Sequence, residues 1–184
     1  MDLAAFTREE RKYNSLWQNE YKDANWGKLA RSLVKRIPKY KKIIDLGFGK
    51  GTALEFFERK GYHTEGVDIS SYVVKVQRER SKKVHQASLD NLEIFKDKEF
   101  NVGFCNDVIE HVPEDLIVSS LDEIVRICSD FLFISICPES SHHLSLDGEK
   151  LHLTVKPKQW WEEKLKKYGK VEQLTFWFRR SLRY

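Results

Sequence analysis

Ile43-Ile44-Asp45-Leu46-Gly47-Phe48-Gly49-Lys50-Gly51-Thr52, followed by Gly66-Val67-Asp68-Ile69-Ser70, is the stretch that decides the fold. Ile43 and Ile44 are β-branched and apolar, as a strand buried on both faces requires. The three glycines let the backbone turn sharply and approach a ligand without Cβ clashes. Thr52 to Lys60 then places Ala53, Leu54 and Phe57 on one helical face, and Gly61 is a stop signal. His63 to Asp68 reads as the next strand. Its terminal acid lies 21 residues after Gly47, close to the ~20-residue spacing at which a carboxylate meets ribose hydroxyls. Strand, glycine turn, helix and strand-ending acid together make a unit that holds a nucleoside-bearing ligand.

The loop also says which ligand. A nicotinamide-binding turn reads G-x-G-x-x-G, whereas Gly47, Gly49 and Gly51 read G-x-G-x-G. Asp45 stands two residues before the first glycine. A carboxylate there repels a pyrophosphate seated on the helix N-terminus and suits a cationic ligand with an amino group. Asp45-Leu46-Gly47-Phe48-Gly49-Lys50-Gly51 with Asp68 resembles the first two motifs of class I S-adenosylmethionine-dependent methyltransferases, and among them small bacterial or phage-like members. The resemblance implies that the glycine loop wraps the methionine part of S-adenosylmethionine, with Asp68 on the ribose and Asp45 near the amino group. It extends the cofactor set to Phe48, Ile69 and Asn106. It also implies that Ser88 and the backbone N–H of Leu89 meet adenine, with Asp90 as the alternative one register off.

Beyond the loop, residues 7–20 and 24–37 read as helices, the second ended by Pro38. Trp17, Tyr21 and Trp26 stud this region, either as packing onto the sheet or as a lid over the ligands. Residues 70–80 read as a helix and 83–87 as a short strand. Phe100 to Cys105 reads as the fourth strand, and Pro113 opens a helix with Leu116, Ile117, Leu121 and Ile124 on its buried face. Phe131 to Ile136 reads as a fifth strand, apolar enough to be central. Pro157 to Tyr168 reads as a helix and Val171 to Phe178 as a last strand. Alternating strands and helices predict an α/β fold: a doubly wound, mostly parallel, Rossmann-like sheet with helices on both faces. The expectation is one domain over 1–184, with helices at 1–38 as a cap and a core at 40–178. The family's last antiparallel strand is expected to be short or missing.

The catalytic edge is read from Asn106-Asp107-Val108-Ile109-Glu110-His111-Val112-Pro113, since ligands of open α/β sheets bind beyond the strand C-termini. Methyl transfer is an in-line displacement, so the residues required are those that position donor and acceptor and remove a proton. His111 is the base best matched by its ordinary pKa, with Asp107 beside it and His152 as a second base or acceptor contact. Asp107, Glu110, His111 and His152 also form an alternative divalent-metal set, as in ubiquinone-pathway and small-RNA methyltransferases that the segment resembles. The simpler reading, with no metal, has Glu110 and His111 capping the helix and sealing the rim. Residues 141–144 and 151–161 are expected to border the acceptor, with one of Trp160 and Trp161 on the sheet and the other at the pocket edge.

A chain of 184 residues with 41% hydrophobic and 33% charged composition forms one core under a charged surface. No apolar run approaches the ~18 residues of a membrane span, and Met1 to Glu10 lacks a signal-peptide pattern. Cys105, Cys128 and Cys137 form no C-x-x-C pair and read as reduced thiols of a cytoplasmic protein. A net charge of +4 is too mild to argue for nucleic acid. The expected activity is O-methylation of a small metabolite or sugar by a monomer or homodimer. The alternatives are an RNA or protein methyltransferase, or a silent cofactor-binding module.

Overall fold

The computed structural model describes residues 1–19, 21, 26–137, 144–145, 148–169 and 175–176. Six strands form one sheet: β1 (Lys42–Leu46), β2 (His63–Asp68), β3 (Val84–Gln86), β4 (Phe100–Asn106), β5 (Cys128–Ile136) and β6 (Thr175–Phe176). The helices are α1 (Leu3–Gln18), α2 (Gly27–Arg36), α3 (Thr52–Arg59), α4 (Ser71–Glu79), α5 (Ile117–Ile127) and α6 (Lys158–Lys166). The sheet order is β3-β2-β1-β4-β5-β6 and every pairing is parallel. This is the doubly wound α/β architecture that the strand–helix alternation predicts. The chain reverses its winding between β1 and β4, where a crevice opens beyond the strand C-termini.

Strand alternation sorts the core onto two faces. Ile44 and Leu46 of β1 pack with Ile117, Leu121 and Ile124 of α5 and with Trp161 and Leu165 of α6. Ile43, on the opposite face, packs with Leu29 and Leu33 of α2 and with Phe57 of α3. α1 stands apart from this layering and crosses the end of α4. Asn14 fixes it there: its Oδ1 accepts from Ser70 Oγ at 2.6 Å and Tyr72 N at 3.0 Å, and its Nδ2 donates to Ser71 Oγ at 3.0 Å.

Two expectations need correction. β5 is fifth of six strands rather than central, and among the described residues β6 pairs with Ser135 and Ile136. Its N-terminal half is left uncovered, and Phe131 is 54% exposed. Apolar composition alone does not distinguish a covered strand from a strand covered at one end. Pro113 opens a 3₁₀ turn, Glu114–Leu116, so α5 starts only at Ile117. No antiparallel strand joins the described sheet, in line with the expected short or missing one; β6 runs parallel to β5. Its crossover carries α6, and a helix-bearing crossover returns the chain in the parallel sense. Of the last strand expected over 171–178, the remainder lies outside the described residues. No described helix is long and apolar enough to cross a membrane.

Candidate active site

A cavity of about 150 Å³ opens at the winding reversal. Its floor is the glycine loop between β1 and α3. Gly47 has φ +74°, and a Cβ there would lie 2.6 Å from both methyls of Val108. Only glycine satisfies both the left-handed turn and that approach. Asp68 ties the loop to the end of β2: its Oδ2 accepts from Gly49 N at 2.9 Å and its Oδ1 from Ser70 N at 2.9 Å. The carboxylate is thereby fixed by two backbone donors, each leaving acceptor capacity on its oxygen.

The cavity is lined by Asp45, Gly47, Phe48, Gly49, Asp68, Ile69, Ser88, Leu89 and Asn106, nine of the ten positions expected to meet the cofactor. Gly51 is not among the lining residues. It caps α3 at φ +76°, and a Cβ there would strike the Gln77 carboxamide at 2.8 Å. Its role is to admit α4 against the loop. Ser88 lines the wall, whereas the Asp90 carboxylate turns away to pair with the Ser88 hydroxyl and the Met1 amino group.

Asp107 and His111 line the opposite end. Asp107 adopts φ +58° directly after β4, with its N–H donating to Ser135 O at 3.1 Å. A non-glycine residue held in this region costs about 1 kcal/mol and persists only where its surroundings enforce it. A 3₁₀ turn over Ile109–His111 then turns Glu110 into the protein and His111 toward the cavity. Glu110 is fully buried; its Oε1 accepts from Cys137 N at 2.7 Å, while Oε2 has no hydrogen bond. Burial, reinforced by the Asp107 carboxylate, raises the Glu110 carboxyl well above its ordinary range.

His111 Nδ1 lies 2.9 Å from the Tyr13 hydroxyl of α1. Burial, with His152 adding to it, lowers the His111 imidazole to about 4. Burial and the nearby Glu9 carboxylate raise the Tyr13 phenol well above its ordinary value. A neutral imidazole beside a phenol that keeps its proton fits an O–H donated to Nδ1. His152 packs edge-on against His111 with ring centroids 4.8 Å apart. It is not among the cavity-lining residues. Backbone bonds hold it there: Leu153 N and Thr154 N both donate to Glu110 O, at 3.0 and 2.9 Å. Ligand atoms of Glu110, His111 and His152 all lie within 4.8 Å of one another, as do those of Asp107, Glu110 and Cys137. Of the alternative metal set, Glu110, His111 and His152 come together, whereas Asp107 groups with Glu110 and Cys137 instead.

The roof comes from α1, where Glu9, Tyr13 and Trp17 line the cavity along with Tyr21 and Trp26. Trp17, Tyr21 and Trp26 thus sit where a lid would, although Trp17 also packs on the cluster around Phe48 and Leu54. Glu9 and Tyr13 went unnoticed in the sequence. Their spacing with Trp17, i, i+4 and i+8, was the available signal. Of the two tryptophans, Trp161 is the one buried, in the cluster that joins β1 and α5. Trp160 does not edge the cavity; it lies between Lys156 and Lys164, with their Nζ atoms 5.5 and 5.0 Å from its ring. Residues 141–143 lie outside the described residues.

A family model described as a methyltransferase domain matches residues 44–130. A ubiquinone biosynthesis O-methyltransferase of Hahella chejuensis is 24% identical over 150 residues, covering 76% of this chain and 61% of that protein. Its counterpart in Aromatoleum aromaticum is 30% identical over 103 residues, covering 52% of this chain and 44% of that protein. The chain thus spans less than two thirds of the curated relatives it matches. Among solved structures, the 1,6-didemethyltoxoflavin-N1-methyltransferase of Burkholderia thailandensis, with that compound and S-adenosylhomocysteine bound, aligns with a TM-score of 0.61. The alignment covers 90% of this chain and 74% of that one at 14% identity, a likeness of fold. Motif, sheet order, cavity and family match agree: the chain resembles the class I S-adenosylmethionine-dependent methyltransferases, and residues 44–130 match their methyltransferase domain.

Proposed function

We propose that the chain transfers the methyl group of S-adenosylmethionine to a hydroxyl of a small-molecule acceptor. The observation that carries this reading is one cavity running from Asp68 and the glycine loop to Asp107 and His111. Both curated relatives named above are O-methyltransferases, which favours a hydroxyl acceptor.

In this reading Asp68 holds the ribose hydroxyls and Asp45 attracts the amino group. Phe48, Ile69, Ser88 and Leu89 enclose the base, and Asn106 stands at the reacting end. Asp107 orients the acceptor. Tyr13 relays the proton: its hydroxyl takes the acceptor's proton as it gives its own to His111 Nδ1. The acceptor oxygen then attacks the methyl carbon of S-adenosylmethionine, forming the O–CH₃ bond as the S–CH₃ bond breaks and S-adenosylhomocysteine leaves. His152 positions the His111 ring. The helices of residues 1–38 act as the cap, with the core at 40–178.

A second reading is favoured by the convergence of Glu110, His111 and His152. The orphaned Glu110 Oε2 and two imidazoles suit a divalent ion, which would lower the acceptor hydroxyl's pKa. Treatment with EDTA separates the readings. The relay reading expects turnover within twofold of the untreated protein. Loss of turnover, restored by Mg²⁺ or Zn²⁺, would assign the cluster to a metal.

Calorimetry with S-adenosylmethionine, followed by mass detection of methylated product across hydroxyl-bearing metabolites, tests the whole proposal. Micromolar binding with a 14-Da gain on an acceptor is the expected result. No binding at millimolar cofactor would overturn the enzyme reading, and binding without turnover on any acceptor would favour a silent module.

A further inference from the structure

The roof of the cavity carries a charge that cofactor chemistry does not use. Glu9 is only 4% exposed yet lines the cavity. Its partners are Lys12, one turn along α1 and 3% exposed, and the exposed Arg8, whose Nε lies 3.6 Å from Glu9 Oε1. Glu9 Oε2 and Lys12 Nζ make no hydrogen bond beyond their ion pair. A buried ion pair repays its desolvation only when its remaining donors and acceptors are satisfied, so this pair is incomplete as it stands.

The pair is also oriented. Glu9 lines the cavity, whereas Lys12 lines a groove on the outer side of α1 with Arg8 and Arg11. The negative end therefore faces the ligands. Asp107 adds a second carboxylate at the same end, and no lysine or arginine lines the cavity among the described residues. Tyr13, Trp17 and Tyr21 supply aromatic surface around Glu9. The indole Nε1 of Trp17 is buried without a hydrogen bond. Aromatic walls favour flat ligands and cations, and carboxylates that face the cavity while their cations lie on its outer side disfavour anions.

We infer that Glu9 is a specificity-determining residue that accepts a hydrogen bond from a cationic or N–H- or O–H-bearing group of the acceptor. The acceptor is a flat aromatic or heteroaromatic molecule, neutral or positively charged, and not a carboxylate or phosphate. This rests on the methyltransferase reading above and names the substrate class of that site.

The test holds the reacting hydroxyls constant and changes only the charge. Dopamine, catechol and 3,4-dihydroxybenzoate are titrated into the full chain loaded with S-adenosylhomocysteine, with quenching of tryptophan fluorescence as the readout. Dopamine is expected to bind at least about tenfold more tightly than 3,4-dihydroxybenzoate, the size of one charge-assisted hydrogen bond. Glu9→Gln is expected to weaken dopamine about tenfold while catechol changes less than twofold. Because Glu9→Gln strands a buried ammonium, the double variant Glu9→Gln/Lys12→Met serves as a second test, with circular dichroism confirming its fold. It is expected to show the same loss of charge preference. The inference is overturned if 3,4-dihydroxybenzoate binds as tightly as dopamine, if both variants keep the wild-type ratio, or if none of the three binds the loaded protein. Failure to bind S-adenosylhomocysteine itself overturns the methyltransferase reading, and this inference with it.

Discussion

The two halves of the cavity are built in opposite ways. Most of the half proposed to hold the donor is one nearly continuous stretch, residues 45–69, and its decisive contacts are backbone contacts such as Gly49 N and Ser70 N on Asp68. The half proposed to hold the acceptor is lined by two distant stretches, Glu9 to Trp17 on α1 and Asp107 to Pro113 after β4, with Leu151 to Thr154 packed behind the second through Glu110 O and His111. There the decisive contacts are between side chains, as in Tyr13 with His111 and His111 with His152. Backbone contacts demand particular residues, glycine above all, at fixed spacing. Side-chain contacts admit many residue pairs, so this half is free to vary with the acceptor.

The halves touch at Gly47 and Val108, and the largest expected effect follows from breaking that contact. Gly47→Ala puts a methyl at φ +74° and 2.6 Å from both Val108 methyls. Backbone strain and displacement of the 107–111 segment together are expected to weaken S-adenosylmethionine binding by about 1,000-fold or beyond detection. Calorimetry measures the binding, and a lowered thermal midpoint should accompany it. Unchanged binding would show that the halves are not coupled through this contact.

His111→Gln strikes only the acceptor half. Loss of a positioned base lowers kcat about 100-fold, while cofactor affinity stays within twofold. Equal losses in kcat and in cofactor binding would refute the division of the cavity into halves.

This division also explains what the sequence could disclose. The glycine spacing, Asp45 and Asp68 pointed to the sheet and the loop at the cavity floor, because each reflects a local backbone requirement, while Phe48, Ile69, Ser88, Leu89 and Asn106 followed only from the family resemblance. α1 was readable as a helix, but the face that matters is set by Asn14 gripping the start of α4, 56 to 58 residues away. The i, i+4, i+8 spacing of Glu9, Tyr13 and Trp17 therefore marks a common face of α1 but does not say that this face meets the cavity. His152 is brought to His111 by backbone bonds from Leu153 and Thr154 to Glu110 O, which leave no trace in residue identity. The exposed half of β5 escaped notice for a related reason: apolar composition does not report how far the neighbouring strand extends.

A smaller effect separates the halves by pH. His111 titrates at about 4 in the folded protein against an ordinary 6.5. Between those values the unfolded chain binds the additional proton. Stability therefore falls as pH falls through that window, and is restored as pH rises above 6.5. The ring is only partly buried, so about 2 kcal/mol is the expected loss in metal-free protein. Glu110 acts in the opposite sense: its raised carboxyl loses stability as pH rises through its folded value. The diagnostic quantity is thus the difference between wild type and His111→Gln in urea unfolding at pH 4.5 and 7. The difference should shrink toward pH 4.5; a constant difference would remove His111 from the pH response.

Tyr13→Phe gives the smallest effect and the sharpest view of how α1 joins the acceptor half. The substitution keeps the ring and removes only the hydroxyl that meets His111 Nδ1 at 2.9 Å. If Tyr13 relays the proton, kcat falls about tenfold, a water taking the hydroxyl's place less effectively. Cofactor affinity should stay within about threefold, because the substitution keeps the ring that lines the cavity and leaves the Asp68 hydrogen bonds to Gly49 N and Ser70 N in place. The double variant Tyr13→Phe/His111→Gln should then be no slower than His111→Gln alone, since a relay without its terminal base has nothing left to lose. Multiplying effects, about 1,000-fold together, would mean that Tyr13 and His111 act on separate steps and that the roof binds the acceptor without taking its proton. In that case α1 would govern which acceptor enters, through Glu9, while the 107–111 segment alone would carry the chemistry.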